Sequence, residues 1–101
     1  MIVVALAGDL MDQSKLRGAL PDIRFVRTGL ACAGAEVVIV DLDRFGPEIG
    51  AARVAAPTAR IVAYGPHADR EGAAAAVEAG ADRVVARSLL FRDPAAVVTD
   101  A

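Results

Sequence analysis

The sequence predicts an α/β domain with an open, parallel, five-stranded sheet and helices on both faces. Three observations lead there. Val37–Val40 is apolar at every position and runs into Asp41, the pattern of a parallel strand covered on both sides. Two more apolar runs, Ile2–Ala7 and Arg60–Tyr64, close on Gly8 and Gly65. Between the runs lie stretches with helical spacing and capping residues, and strands alternating with helices make a parallel sheet.

In chain order, Ile2–Ala7 is the first strand, closed by Gly8 and Asp9. Asp12 is an N-cap candidate for a helix over Gln13–Leu20, which Pro21 stops. Leu16, Ala19 and Leu20 share its apolar face, opposite Lys15 and Arg17. Ile23–Thr28 alternates apolar and polar residues, as an edge strand does. The stretch from Gly29 to Glu36 is shorter than the roughly dozen residues a parallel crossover normally uses, so it holds at most a turn or two of helix. Its Gly29-x4-Gly34 spacing is not a phosphate loop, because Ala35 and Glu36 stand where Lys and Ser/Thr are needed.

The third strand follows, then a helix with Pro47 in its first turn and Pro57 at its end. Arg60–Tyr64 is the fourth strand. Asp69 caps a helix running to Ala79, with Gly80 as its stop, and Arg83–Arg87 is the fifth strand. Asp93-Pro94 opens a last helix that is too short to be a full one. The order is that of a single domain over residues 1–101 with a truncated crossover and a truncated C-terminal helix.

Composition narrows the function classes. Hydrophobic residues make up 55% of the chain, too many for disorder. Much of that is alanine, which implies a thin core. The formal net charge is −2 with arginines dispersed along the sequence, so no basic stripe suggests a nucleic-acid partner. The single cysteine, Cys32, excludes an internal disulfide framework and fits a reducing compartment. No run is long enough to span a bilayer. A cytoplasmic protein with no membrane attachment is expected.

Three segments carry a resemblance. Val37–Leu42 resembles the third strand of response-regulator receiver domains, the CheY-like branch of the flavodoxin-like folds, and Asp41 falls on the phosphoacceptor position. Residues 61–69, Ile-Val-Ala-Tyr-Gly-Pro-His-Ala-Asp, resemble the fourth strand and its switch loop. Glu78–Ser88, with Gly80-Ala81-Asp82 before an apolar strand and a basic residue, resembles the segment leading to the receiver's Lys-Pro. The resemblance implies phosphoryl transfer to an aspartate beside a divalent metal held by an acidic pair. Here that pair is matched by Ala7-Gly8, with Asp9 next door. Gly65 stands for the phosphoryl-binding hydroxyl, Arg87 for the lysine, Ser88 for the proline and Val84 for the switch aromatic. A Mg²⁺ site needs neighbouring carboxylates, and an arginine does not reproduce a compact ammonium group.

The chain therefore reads as a non-catalytic pseudo-receiver acting through protein contacts, with no cofactor or metal. Asp41, Asp9, Gly65 and Arg87 form its vestigial site. Asp41 is expected to interact with Arg87 and to cap the following loop. Two alternatives stay open: a working phosphoacceptor with Asp41 as acceptor, and a flavodoxin-like domain binding a small ligand at the strand ends. His67, in the loop after the fourth strand, reads as an exposed histidine, Tyr64 as core and Cys32 as a small buried residue. Because the last helix is short, one sheet face is expected to stay partly bare. Leu90, Phe91 and Val97 are then expected to form an interface with a second copy or another protein.

Overall fold

In the computed structural model, which describes residues 1–66 and 69–100, the five strands are all parallel. They are β1 (Val3–Leu6), β2 (Arg24–Phe25), β3 (Val37–Asp41), β4 (Arg60–Gly65) and β5 (Arg83–Ala86), in spatial order β2-β1-β3-β4-β5. The helices are α1 (Leu10–Ala19), α2 (Leu42–Phe45), α3 (Ile49–Ala55), α4 (Arg70–Ala79), α5 (Arg87–Arg92) and α6 (Pro94–Thr99). The unbroken apolar runs have the burial they predict. Successive side chains of a strand point to opposite faces, so β3 sends Val38 and Val40 towards α3 and α4. It sends Val37 and Ile39 into the layer that holds Leu16, Leu90, Val97 and Val98.

The edge strand is shorter than the alternation suggests. Only Arg24 and Phe25 pair with β1, although Val26 still donates to the Ala5 carbonyl at 2.9 Å. Thr28 then caps a 3₁₀ turn, Gly29–Cys32, which is the whole of the crossover. Gly29 lies so tightly on α3 that a Cβ would collide with the backbone of Glu48 and Ala52. That close approach, not a phosphate, explains this glycine. Cys32 is fully buried beside it.

Two expectations need correction. The first helix starts at Leu10, one turn earlier than expected, and Asp9 is its cap, accepting from the backbone N–H groups of Met11 and Asp12. Asp12 thus lies inside the helix and is buried. The second correction concerns Leu90, Phe91 and Val97, expected at an interface: Leu90 and Val97 are core residues, and Phe91 is half-buried against that core. Leu90 is 0% and Val97 6% exposed, and Phe91 packs edge-on against Tyr64 with ring centroids 5.4 Å apart. The cause is a break at Asp93, whose extended backbone ends α5 and whose side chain caps α6 through Ala96 N–H. Two short helices cover what one short helix would leave bare. Arg83 ties α6 down by a 3.0 Å bond to Asp100.

Candidate functional site

The carboxyl ends of β1, β3 and β4 and the start of α5 converge on the edge where open α/β sheets bind ligands. Asp41 ends β3, directly opposite Tyr64 of β4 in the strand register. It is 7% exposed, and its carboxylate caps α2, accepting from Asp43 N–H at 3.1 Å. Burial pushes the carboxyl above its usual range, against smaller opposing effects from that hydrogen bond and from the Arg87 charge.

The expected Asp41–Arg87 pair does not form. Arg87 instead grips Asp12, with Nη1 donating to Oδ2 at 2.8 Å and Nη2 donating to Oδ1 and Oδ2, both at 2.7 Å. The Tyr64 hydroxyl donates to the same Asp12 Oδ2 at 3.0 Å. The reason lies in the early start of α1, which turns Asp12 inward, together with the placement of Arg87 as the first residue of α5. The guanidinium also lies 5.4 Å from the centroid of the Tyr64 ring and 5.2 Å from that of Phe91. A bidentate arginine–carboxylate pair backed by aromatic rings is directional and strong. Every buried side-chain N or O among the described residues has a partner.

The remaining site residues are also engaged. Backbone N–H groups of Asp12 and Met11 hold the Asp9 carboxyl below its usual range, helped by Arg44. Arg44 reaches over β1, with its Nη1 3.1 Å from where a Cβ on Gly8 would stand. At Gly65 the space next to the backbone is filled by Leu42, whose Cδ1 is 3.3 Å from the corresponding Cβ position. These residues do not fit a divalent cation. One carboxylate caps α1, one caps α2, one holds Arg87, and an arginine lies where a metal would need negative charge. No cluster of three His, Cys, Asp or Glu suited to a metal occurs among the described residues.

The sequence reading missed Asp12, although a signal was there. Asp12, Leu16, Ala19 and Leu20 follow helical spacing, so an acid on that face must be buried and must find a partner. His67 lies outside the described residues. Cys32 has its thiol pushed up by burial, then by Glu48, and its Sγ faces the Thr28 carbonyl, so it is not a reactive thiolate. An open groove of about 450 Å³ lies between α3 and α4, lined by Leu42, Pro47, Ile49, Ala75 and Ala76. Its Asp69 is the cap of α4. It lacks the convergent polar groups that orient a small ligand.

No protein-family model matches the chain, and no curated protein matches it in sequence. Solved structures do match. The receiver domain of the TMAO respiratory system response regulator TorR superposes with a TM-score of 0.73 at 17% identity, covering 89% of this chain and 86% of that one. A response regulator from Burkholderia pseudomallei, solved with a phosphorylated aspartic acid, a calcium ion and citrate, gives 0.75 at 23% identity. The match covers 98% of this chain and 66% of that one. A CheY-like protein from Pseudomonas aeruginosa gives 0.70 at 20% identity, covering 87% of each chain. This chain has the receiver-domain fold.

Proposed function

We propose that this receiver-fold chain is a signalling module that works through protein contacts and does not accept a phosphoryl group. The observation that carries this reading is the grip of Arg87 on Asp12. A receiver needs a free cation to meet the incoming phosphoryl oxygens and free carboxylates to hold a metal beside the acceptor. Here the strand-end cation is tied to a buried acid, and Asp41 and Asp9 are engaged as helix caps. Leu42 fills the space beside Gly65 that a hydroxyl would share with the phosphoryl group. A fold with these substitutions keeps its surfaces and loses its chemistry.

The alternative reading, a working phosphoacceptor, draws on the place of Asp41 at the end of the central strand. The two readings part in one measurement. Incubated with acetyl phosphate and Mg²⁺, the protein is expected to keep its mass. A single added phosphoryl group, absent from Asp41→Asn, would falsify the proposal. Among the described residues no helix is long and apolar enough to cross a membrane.

A further inference from the structure

We infer that the groove between α3 and α4 is a docking site for a basic amphipathic helix of a partner protein; this deepens, and rests on, the reading as a protein-contact module. The groove opens where the segment between β3 and β4 is broken. α2 ends at Phe45, a 3₁₀ turn over Gly46–Glu48 carries Pro47, and α3 begins after it. Buried Ile49 and Ala76 form the floor. The walls are low, with Pro47 and Gly50 on one side and Ala75 and Ala79 on the other. Val54 stands four residues after Gly50 and so continues the same flank of α3. It is 76% exposed.

Gly50 leaves this space open without any demand from the fold. A Cβ there would meet nothing within 4 Å. Its backbone is not left-handed, since the described glycines with positive φ are Gly34 and Gly80. A residue with a side chain would suit a helix better. What the glycine provides is a low wall, over which a second helix can approach at the short axial distance that small contact residues allow. The lining runs from Asp69 to Ala79, the length of α4. That is about 15 Å, room for roughly three turns of a visiting helix.

Charge decides what fits. Among the described residues the one charged side chain in the lining is that of Asp69, whose carboxylate caps α4. Glu71 stands four residues before Ala75 and Glu78 three after it, so both share the flank that lines the groove. Both are exposed, and among the described residues neither has a cation within salt-bridge distance. The nearby cations are directed elsewhere. Arg53 is paired with Asp82, and Arg44 reaches over β1 towards Gly8. Arg70 shares its flank with Ala74 and Val77, which are not in the lining. The apolar floor therefore has an acidic rim.

That rim repels nucleic acid and an anionic bilayer, which carry the same sign. A second copy meeting the groove by two-fold symmetry would bring two acidic rims together. A helix with an apolar stripe for the floor and lysines or arginines beside it answers both features.

The test uses the whole chain, labelled with ¹⁵N, and a synthetic capped peptide of about fifteen residues, long enough to form helix. It carries leucines at helical spacing and lysines elsewhere. Controls are a scrambled peptide of the same composition, a peptide with glutamates in place of the lysines, phosphatidylserine vesicles and sedimentation of the protein alone. Saturable binding of the lysine peptide is expected, with amide shifts confined to α3, α4 and the turn before α3. The scrambled peptide should bind more weakly and the glutamate peptide not at all. The double variant Glu71→Lys, Glu78→Lys should weaken binding roughly tenfold or more through like-charge repulsion. Gly50→Leu separates the groove from the fold. Its side chain enters open space, so the variant should melt no lower than the parent while binding is lost.

No binding, equal binding of the lysine and scrambled peptides, or shifts centred on other helices would overturn the assignment. So would full binding to a folded Gly50→Leu, uptake by the vesicles, or a dimer that Gly50→Leu dissolves. Because the wild-type shift map does not depend on any variant, a misfolded mutant leaves the test intact. The same sample is weighed after treatment with acetyl phosphate and Mg²⁺. Absence of peptide binding with Asp41 unmodified removes the groove alone. A phosphoryl group on Asp41 removes the function proposed above, whatever the peptide does.

Discussion

Tyr64, the only tyrosine in the chain, has its hydroxyl against a buried carboxylate and its ring under a guanidinium. Burial pushes its ionisation well above the ordinary value of 10.0, and the charges of Asp41 and Asp12 push it further. Above that pH the unfolded chain loses a proton that the folded chain keeps, so stability from this group is complete below pH 10 and declines as pH rises past it. Phenolate absorbance is therefore expected to rise only together with loss of the circular dichroism signal. A phenolate signal near the ordinary value in an intact fold would break the Tyr64–Asp12 assignment. At this scale the sequence was read half correctly. It put Asp41 at a strand end and made it a cap, and it put Tyr64 in the core. Arg87 went to the wrong acid, because a choice between Asp9 and Asp12 as cap moves the helix start by one turn, and with it the direction in which Asp12 points.

Among the elements, α3 and α4 are joined at their C-terminal ends by one side chain. Arg53 donates through Nε and Nη2 to the Gly80 carbonyl at 3.1 and 2.8 Å and through Nη1 to the Ala59 carbonyl at 2.6 Å. Its Nη2 also pairs with Asp82 at 2.7 Å, whose Oδ2 accepts from Ile61 N–H. Helix ends leave carbonyls without partners, and a cation there also answers the negative end of the helix. Gly80 turns the chain with φ +129° directly against the Arg53 stem. Arg53→Ala should cost about 1.5–3 kcal/mol, the range for hydrogen bonds to a charged group. Arg53→Lys should recover only part, since an ammonium cannot reach several carbonyls in one plane. Denaturant melts of both variants measure this, and a parent-like midpoint for Arg53→Ala would remove the linking role. The elements it ties were legible, with Asp69 and Gly80 bounding α4 as expected. The linking role was not, because helical spacing places Arg53 on a helix without saying which carbonyls lie within reach.

For the molecule as a whole, the parallel five-stranded sheet and the burial of its central strands followed from apolar runs alternating with helical stretches, which are local signals. The cover of the second sheet face did not, because it depends on a chain reversal at Asp93 that brings α6 back over β3 and β4. Leu90 separates the two views. If it belonged to an interface, Leu90→Ala would change association and leave the isolated chain as stable as before. As a side chain with no exposure, packed in the layer that holds Ile39, Val62 and Tyr64, it should instead cost about 2–5 kcal/mol on truncation. That is a large share of the roughly 5–15 kcal/mol typical of a whole domain, and it falls on an alanine-rich core with few large side chains to close the gap. Thermal melts of Leu90→Ala at several protein concentrations are expected to show a lower midpoint that does not move with concentration. A midpoint that stays at the parental value, or one that shifts with concentration in the parent and not in the variant, would return Leu90 to an interface. Leu89, which is exposed one residue earlier on α5, provides the internal control: Leu89→Ala should melt like the parent, because a side chain already in contact with water loses little packing when it is shortened.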